Sequence, residues 1–134
     1  MEHDAEQTAQ VNAAMPFGGT LGLELVAASA EAVQARLAWA ERLCTAGGVL
    51  HGGALMALAD TAGAYLAYLN LPEGAGGTAT IESKTNFFRG VREGHVHASS
   101  RLLHKGRTTI VVETDLRDDA GKHVARVTQT QAVL

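Results

Sequence analysis

The sequence is poor in cysteine, and its single cysteine, Cys44, excludes a disulfide within the chain. A chain of this kind suits a reducing compartment, so we expect a cytoplasmic location. The opening stretch MEHDAEQTAQ is acidic and polar and lacks the basic and then apolar segments of a secretory signal peptide. The longest apolar run, residues 54–69, is short for a membrane span and contains Asp60. From these absences we expect that the protein is neither exported nor inserted into a membrane.

Aromatic residues make up 4% of the chain, whereas 46% of its 134 residues are apolar and 15 are glycine. This length and composition predict one domain with a core built largely of Ala, Val and Leu. The net charge of −3 gives no general support for binding to nucleic acid or to a membrane. Residues 82–107 nevertheless hold six basic and two acidic residues, a local charge of +4. This segment is typical either of solvated strand faces or of a site for a small polyanion.

The order of patterns along the chain predicts an α+β domain. Residues 4–15 have helix-forming composition and stop at Pro16, and residues 23–40 alternate apolar and polar residues on both sides of a turn. After a loop, residues 53–69 form a strongly apolar helix. Four β-rich runs follow, and the short turns between them favour antiparallel hairpins: TATIESKTNFF, HVHASSRLLH, TTIVVETDLRD and HVARVTQTQAVL. We therefore expect an antiparallel sheet of five or six strands wrapped around one long helix.

A carboxylate lies in the middle of this apolar helix. A helix that is apolar on all sides is typically buried, and a buried carboxylate must be hydrogen-bonded, paired with a cation or protonated. Asp60 is therefore either a structural residue held by backbone N–H groups of a neighbouring loop or subunit, or a functional carboxylate. The residue pattern leaves both alternatives open.

The same helix begins with His51, Gly52 and Gly53. The first N–H groups of a helix lack partners within it, and glycine lets a ligand approach them closely. Together with the positive end of the helix dipole, they could stabilise a developing oxyanion. The alternative is that the glycines are turn residues and that His51 holds the loop through a hydrogen bond of its ring.

The spacing between these two features favours a dimer. Asp60 lies about 11 Å along the helix from its start, so one helix start is not expected to serve its own Asp60. Two antiparallel copies of the helix would bring the start of one against the middle of the other, and a twofold axis would do so twice.

The run LHGGALMALADTAGAYLAY, followed by GTATIESKTNFFRGVREGHVHASSRLLHKGRTT, resembles the hotdog-fold acyl-CoA thioesterases of the PaaI type. PaaI is a phenylacetic acid degradation protein, and this type is related to the 4-hydroxybenzoyl-CoA thioesterases. The resemblance extends from about Pro16 to the C-terminus. It implies one hotdog domain over residues 1–134 that hydrolyses acyl-CoA thioesters, with coenzyme A as part of the substrate and no separate cofactor. It also implies a homo-oligomer, a dimer with shared sites assembled into a homotetramer.

The resemblance also implies roles for residues of the helix and its approach. Asp60 matches the catalytic acidic residue of the family, which acts as nucleophile toward the thioester or as base for water. Gly52 matches the amide that polarises the carbonyl, Gly53 follows it, and His51 holds the loop and lines the site. Six residues before the histidine, many relatives have Asn or Gln; this chain has Thr45, whose hydroxyl is a shorter donor.

Outside the helix, the resemblance points to Thr80 and to a basic set. Thr80 falls where relatives often carry a Ser or Thr that positions water or the carboxylate. Four basic residues lie where similar proteins meet the nucleotide phosphates of coenzyme A: Arg89, Arg92, Lys105 and Arg107. Small helix residues, namely Ala57, Thr61 and Ala64, would leave room for an aromatic or medium-length acyl group.

Other chemistries have weaker support in the sequence. A carboxylate and an oxyanion site suffice for an activated thioester, and the scattered histidines show no metal-ligand spacing. A Cys44 and His51 pair is a poor nucleophile candidate because free cysteines commonly serve as packing. One alternative is a non-catalytic acyl-CoA-binding or sensing hotdog protein, against which Asp60 and the intact HGG argue. Another is a hotdog hydratase or dehydratase, which would require a catalytic histidine in the helix.

Overall fold

A computed structural model describes residues 2–134 of the chain. Within these residues the α-helices are α1 (Ala5–Ala14), α2 (Pro16–Leu21) and α3 (Gly52–Tyr68). The strands are β1 (Glu24–Ala28), β2 (Ala32–Ala38), β3 (Thr78–Phe87), β4 (His95–Lys105), β5 (Thr109–Asp118) and β6 (His123–Val133). The predicted α+β class, the N-terminal helix and the long central helix are confirmed. Helix α2 was not predicted, because its two glycines read as loop residues.

The six strands form one antiparallel sheet in the order β1-β2-β4-β5-β6-β3. The hairpins β1–β2, β4–β5 and β5–β6 follow the short turns expected from the sequence. The prediction is wrong for β3 and β4, which are consecutive in the chain but pair with β6 and β2 respectively. Helix α3 crosses the sheet between β2 and β3, so β3 starts at the far side and forms the outer edge.

The core lies between α3 and the inner face of the sheet. Leu58 and Leu66 of α3 are fully buried, and they belong to one apolar cluster with Val112 and Val127 of the sheet. Burial of such side chains contributes roughly 1.5–3 kcal/mol each, which makes this layer the main source of stability. The predicted sheet wrapped around a helix is therefore the observed arrangement.

One face of α3 is open in this chain, which differs from the helix buried on all sides that its composition predicts. Gly53, Met56, Asp60, Ala64 and Tyr68 recur at helical spacing along this face, and all are half-buried or exposed. The apolar residues of the open face lack a covering layer within residues 2–134. Asp60 is consequently half-buried rather than buried.

Helix α1 covers the β1 edge of the sheet. The Asp4 carboxylate caps its N-terminus by accepting from Gln7 N. Thr8 Oγ1 accepts from Leu25 N at 2.8 Å, and Asn12 Nδ2 donates to Leu23 O at 2.9 Å. These side chains satisfy backbone groups of an edge strand, which protects that edge from other strands.

The opposite edge, β3, is unprotected. It pairs with β6 alone; Ile81 within it is 64% exposed, and Phe88 directly after it is 57% exposed. A long edge strand with exposed apolar side chains is a ready surface for pairing with another strand. None of the helices in residues 2–134 is long and apolar enough to cross a membrane.

Candidate active site

Asp60 faces β3 across the open side of α3. Its Oδ1 atom accepts a hydrogen bond from Thr80 Oγ1 at 2.9 Å and another from Gln129 Nε2 at 3.2 Å. Its Oδ2 atom has no hydrogen-bond partner among residues 2–134. Both donors are side chains, whereas the structural alternative expected backbone N–H donors. The carboxylate is therefore held at one oxygen and available at the other.

An irregularity in β3 lies beside this carboxylate. The pairing of β3 with β6 shifts register between Thr80 and Glu82, which makes Ile81 an extra residue in the edge strand. Such bulges change the facing of side chains and are frequent next to active sites. Here Thr80 and Ser83 both line the same depression beside α3, although residues three positions apart in a regular strand face opposite sides. The bulge thus directs side chains from two parts of β3 toward Asp60.

Two buried glutamines of β6 complete the contacts of Asp60. Gln129 and Gln131 are 1% and 0% exposed, and Gln131 Nε2 donates to Thr80 Oγ1 at 2.6 Å. The sequence interpretation missed both, because it took TQTQ only as part of a β-rich run. The alternation of strand faces could have revealed them: both glutamines lie on the same strand face as Val127, which belongs to the core. Two amide side chains on the same strand face as a core valine indicate that polar groups lie inside the fold.

Asp60 and its donor Thr80 both line a shallow depression of about 350 Å³. Its full lining consists of Gly53, Met56, Ala57, Asp60, Thr80 and Ser83. A second, more apolar cavity of about 410 Å³ adjoins it, because Ala64 and Thr78 follow on the same two elements. Helix α1 forms the far wall of the second cavity, whose lining is Gln10, Val11, Ala14, Met15, Ala64, Tyr65, Tyr68 and Thr78. The expected room at Ala57 and Ala64 is present, whereas Thr61 is buried on the core side.

The start of α3 offers one free backbone donor. His51 Nδ1 accepts from Gly53 N at 2.7 Å and caps the helix, so Gly53 N–H is already used. Accepting at Nδ1 leaves the ring proton of neutral His51 on Nε2. Gly52 N–H has no partner among residues 2–134. A Cβ at Gly52 would lie 3.2 Å from the Phe87 ring, so a larger residue there would require the ring to shift by a few tenths of an ångström.

The remaining predicted site residues do not gather around Asp60. Thr45 lies exposed in the loop before α3, where its backbone N–H donates to Val49 O. Cys44 Sγ donates to Ala40 O, and the Nδ1 atom of His51 is engaged by Gly53, so no Cys44 and His51 pair forms. This geometry therefore agrees with the expectation that the pair is a poor nucleophile candidate.

The predicted phosphate contacts fall at two ends of the sheet. Arg89 and Arg92 follow β3 near the start of α3, where Arg92 Nη1 donates to Gly47 O at 2.7 Å. Lys105 and Arg107 lie at the β4–β5 turn. The ten residues of β5 run between the two ends, a distance of about 30 Å. One chain therefore does not join the four basic residues into one patch.

Two carboxylates with lowered pKa values lie away from the depression, Asp115 on the outer face of the sheet and Asp119 in the turn between β5 and β6. Burial raises the pKa of Asp115, but hydrogen bonds and charges from Arg126 and His123 outweigh it and lower the pKa overall. A hydrogen bond from His97 lowers the pKa of Asp119. Within residues 2–134, no group of three or more His, Cys, Asp or Glu could hold a metal ion. The charges of the outer face are thus compensated locally.

Comparison with known proteins points to one family. The family model described as the thioesterase superfamily matches residues 47–125. The crystal structure of a variant of thioesterase PA1618 from Pseudomonas aeruginosa superposes with a TM-score of 0.88 at 33% identity, covering 95% of this chain and 93% of that one. Thioesterase HI1161 from Haemophilus influenzae gives 0.87 at 29% identity, covering 95% and 90%. A phenylacetic acid degradation-related protein from Ralstonia eutropha gives 0.80 at 28% identity, covering 88% and 89%. These similarities confirm the predicted hotdog fold and the resemblance to PaaI-type thioesterases.

Proposed function

We propose that this chain, which belongs to the thioesterase superfamily and is a thioester hydrolase, cleaves acyl-CoA thioesters with Asp60 as its catalytic carboxylate. The observation that carries the proposal is the carboxylate itself. Asp60 Oδ1 is held by Thr80 and Gln129, while Oδ2 is unpaired beside an open depression. A carboxylate fixed in this way is suited to attack a carbonyl carbon or to take a proton from water.

The proposed hydrolysis has two alternative mechanisms, in which Asp60 acts either as a general base or as a nucleophile. As a base, Asp60 takes a proton from water, the water oxygen bonds to the thioester carbon, and the carbonyl electron pair moves onto oxygen. The C–S bond then breaks, and coenzyme A leaves as a thiolate that is protonated. As a nucleophile, Asp60 bonds to the same carbon and expels the thiolate, and water then hydrolyses the resulting anhydride. Both forms need a donor at the oxyanion.

Gly52 N–H is the proposed oxyanion donor, supplied by a partner subunit. Within one chain, the start of α3 and Asp60 are about two turns apart, which exceeds the reach of a single carbonyl group. The open face of α3 and the unpaired edge of β3 support an antiparallel dimer that places the helix start of one subunit near Asp60 of the other. The proposed assembly is a homotetramer formed by two such dimers, and the proposed location is the cytoplasm.

The two ends of the substrate are assigned to different surfaces. The cavity beside Ala64 and Tyr68 supports binding of an aromatic or medium-length acyl group, because its volume of about 410 Å³ suits a small ligand and its lining is mainly apolar. Phenylacetyl is one such group, as the name of the Ralstonia eutropha protein suggests. For the phosphates of coenzyme A, Arg89 and Arg92 are favoured because they lie near the start of α3, with Lys105 and Arg107 as the alternative pair.

The test is a turnover screen with phenylacetyl-, 4-hydroxybenzoyl- and straight-chain acyl-CoAs, in which the released thiol is measured. We expect hydrolysis by the wild-type chain and a loss of about 10²–10⁴-fold in kcat for Asp60→Asn, the range for removal of a general base. Glu31→Gln, which changes a charge in an exposed turn, is the control and should keep full activity. The melting temperature of Asp60→Asn should match that of the wild type.

Two results would contradict the proposal. Wild-type turnover in a folded Asp60→Asn chain would remove Asp60 from the reaction, and unfolding of that variant would favour the structural alternative. Binding of acyl-CoA without turnover by the wild-type chain would instead identify a non-catalytic acyl-CoA-binding protein.

A further inference from the structure

Two buried amides lie beneath the proposed catalytic carboxylate. Gln129 and Gln131 project from the same face of β6 and are excluded from water by α3 and β3. Their Nε2 atoms both act as donors: Gln129 donates to Asp60, and Gln131 donates to Thr80. Thr80 in turn donates to Asp60, so both amides act on one carboxylate oxygen, one directly and one through a hydroxyl.

The other end of each amide is unsatisfied. Gln129 Oε1 and Gln131 Oε1 are buried and have no hydrogen-bond partner within residues 2–134. An unpaired buried carbonyl costs stability, so neither glutamine is a good choice for packing alone. An apolar side chain of the same length would fill the space without this cost. Stability therefore does not explain why glutamine occupies both positions.

The orientation of both amides follows from their partners. A carboxylate oxygen can only accept, so the NH₂ group of Gln129 and not its carbonyl must face Asp60. Thr80 uses its single proton toward Asp60, so it can only accept from Gln131. The packing of α3 matches this arrangement, because a Cβ at Gly63 would collide with the amide of Gln129. Glycine three residues after Asp60 leaves the space that the amide occupies.

We infer that Gln129 and Gln131 are positioning residues of the hydrolysis reaction. They hold Asp60 through Oδ1 so that Oδ2 is directed into the depression, where it meets water or the thioester. Neither amide touches the substrate; Gln129 acts through Asp60, and Gln131 acts through Thr80. This inference rests on the proposed function, because it assigns these residues to the reaction in which Asp60 takes part.

The test uses Gln129→Met and Gln131→Met, which keep side-chain length and remove the amide. We expect kcat to fall about tenfold to a hundredfold for Gln129→Met, the range for loss of a hydrogen bond to a charged group. KM should stay within twofold, because the amides do not contact substrate. Gln131→Met, which is one bond further from Asp60, should lose less. The control is Gln34→Met, an exposed position on β2, which should keep wild-type kcat.

Stability separates a positioning role from a structural one. Because methionine removes an unpaired buried carbonyl, we expect the melting temperature of both variants to equal or exceed that of the wild type. In an Asp60→Asn background, Gln129→Met should cause no further loss of the residual rate, since Gln129 acts only through the Asp60 carboxylate.

Three outcomes would overturn the inference. The first is a Gln129→Met chain with wild-type kcat alongside an active wild-type enzyme, which leaves the proposed function intact. The second is a fall in kcat that accompanies an equal loss of stability, which indicates a structural role. The third is a wild-type chain that hydrolyses no acyl-CoA, which overturns the proposed function and the positioning role with it.

Discussion

Thr80 connects the edge strand to the carboxylate on the helix. Its hydroxyl accepts from Gln131 and donates to Asp60, although the residue itself lies exposed on β3. A hydroxyl in this position orders Asp60 without adding charge to the depression. The family resemblance predicted Thr80, whereas it did not predict the partners of Thr80 on β6.

Removal of the Thr80 hydroxyl tests this connection. We expect Thr80→Val to reduce kcat about tenfold to a hundredfold, because a hydrogen bond to a carboxylate contributes roughly 1.5–3 kcal/mol. Thr80→Ser keeps the hydroxyl and should retain most of the activity. Steady-state kinetics with one acyl-CoA decide the matter. Equal rates for Thr80→Val and Thr80→Ser would show that the hydroxyl plays no part.

Helix α1 has a dual position in the fold. It shields the β1 edge through Thr8 and Asn12, and its other side forms a wall of the cavity beside Tyr68. Its docking therefore affects both the stability of the sheet and the shape of the proposed acyl site. Few of its residues are buried, Val11 being the one in the core, so the hydrogen bonds to β1 carry much of the docking.

Loss of one of these hydrogen bonds should loosen the helix. In Thr8→Val the Leu25 N–H loses its acceptor, and we expect the free energy of unfolding to fall by about 1–3 kcal/mol. Denaturant unfolding measures this value, and hydrogen exchange of residues 5–14 should become faster. Thr8→Ser is the matched control. An unchanged unfolding midpoint together with unchanged exchange would mean that α1 is held by other contacts.

The sequence predicted the elements better than their pairing. Local periodicity and turn residues located the long helix and the strands, because these signals depend on near neighbours. The pairing of β3 with β6 depends on contacts far apart in the chain, for which the turn between β3 and β4 gave a misleading signal. In the same way, Asp60 was visible as an anomaly in its own helix, whereas Gln129 gains its meaning from a carboxylate on another element.

The molecule as a whole has one surface that its own residues leave uncovered. It consists of the open face of α3 and the outer edge of β3, and it contains Ile81 and Tyr68, each more than half exposed. Asp60 lies within this surface. A dimer formed there would cover the apolar residues and bring a second helix start toward each carboxylate, so assembly and catalysis are expected to depend on each other.

A charge in the edge strand should separate the subunits. We expect Ile81→Lys to shift the sedimenting mass from at least two copies toward one copy of the 14.0-kDa chain, since edge lysines oppose strand pairing. Thioesterase activity should fall in parallel, because Gly52 N–H of the partner is lost. Leu103→Lys, at an exposed apolar position on β4, is the control. A monomeric Ile81→Lys chain with full activity would refute the shared site.

The contact between Gly63 and Gln129 links two positions that are remote in sequence. Any residue with a side chain at position 63 would press on the amide at position 129 and require a shorter residue there. A shorter residue would leave Asp60 without one of its two donors. Redesign of this helix must therefore treat the two positions as one unit. The orientation of the Asp60 carboxylate thus depends on a glycine at position 63, where no Cβ is present.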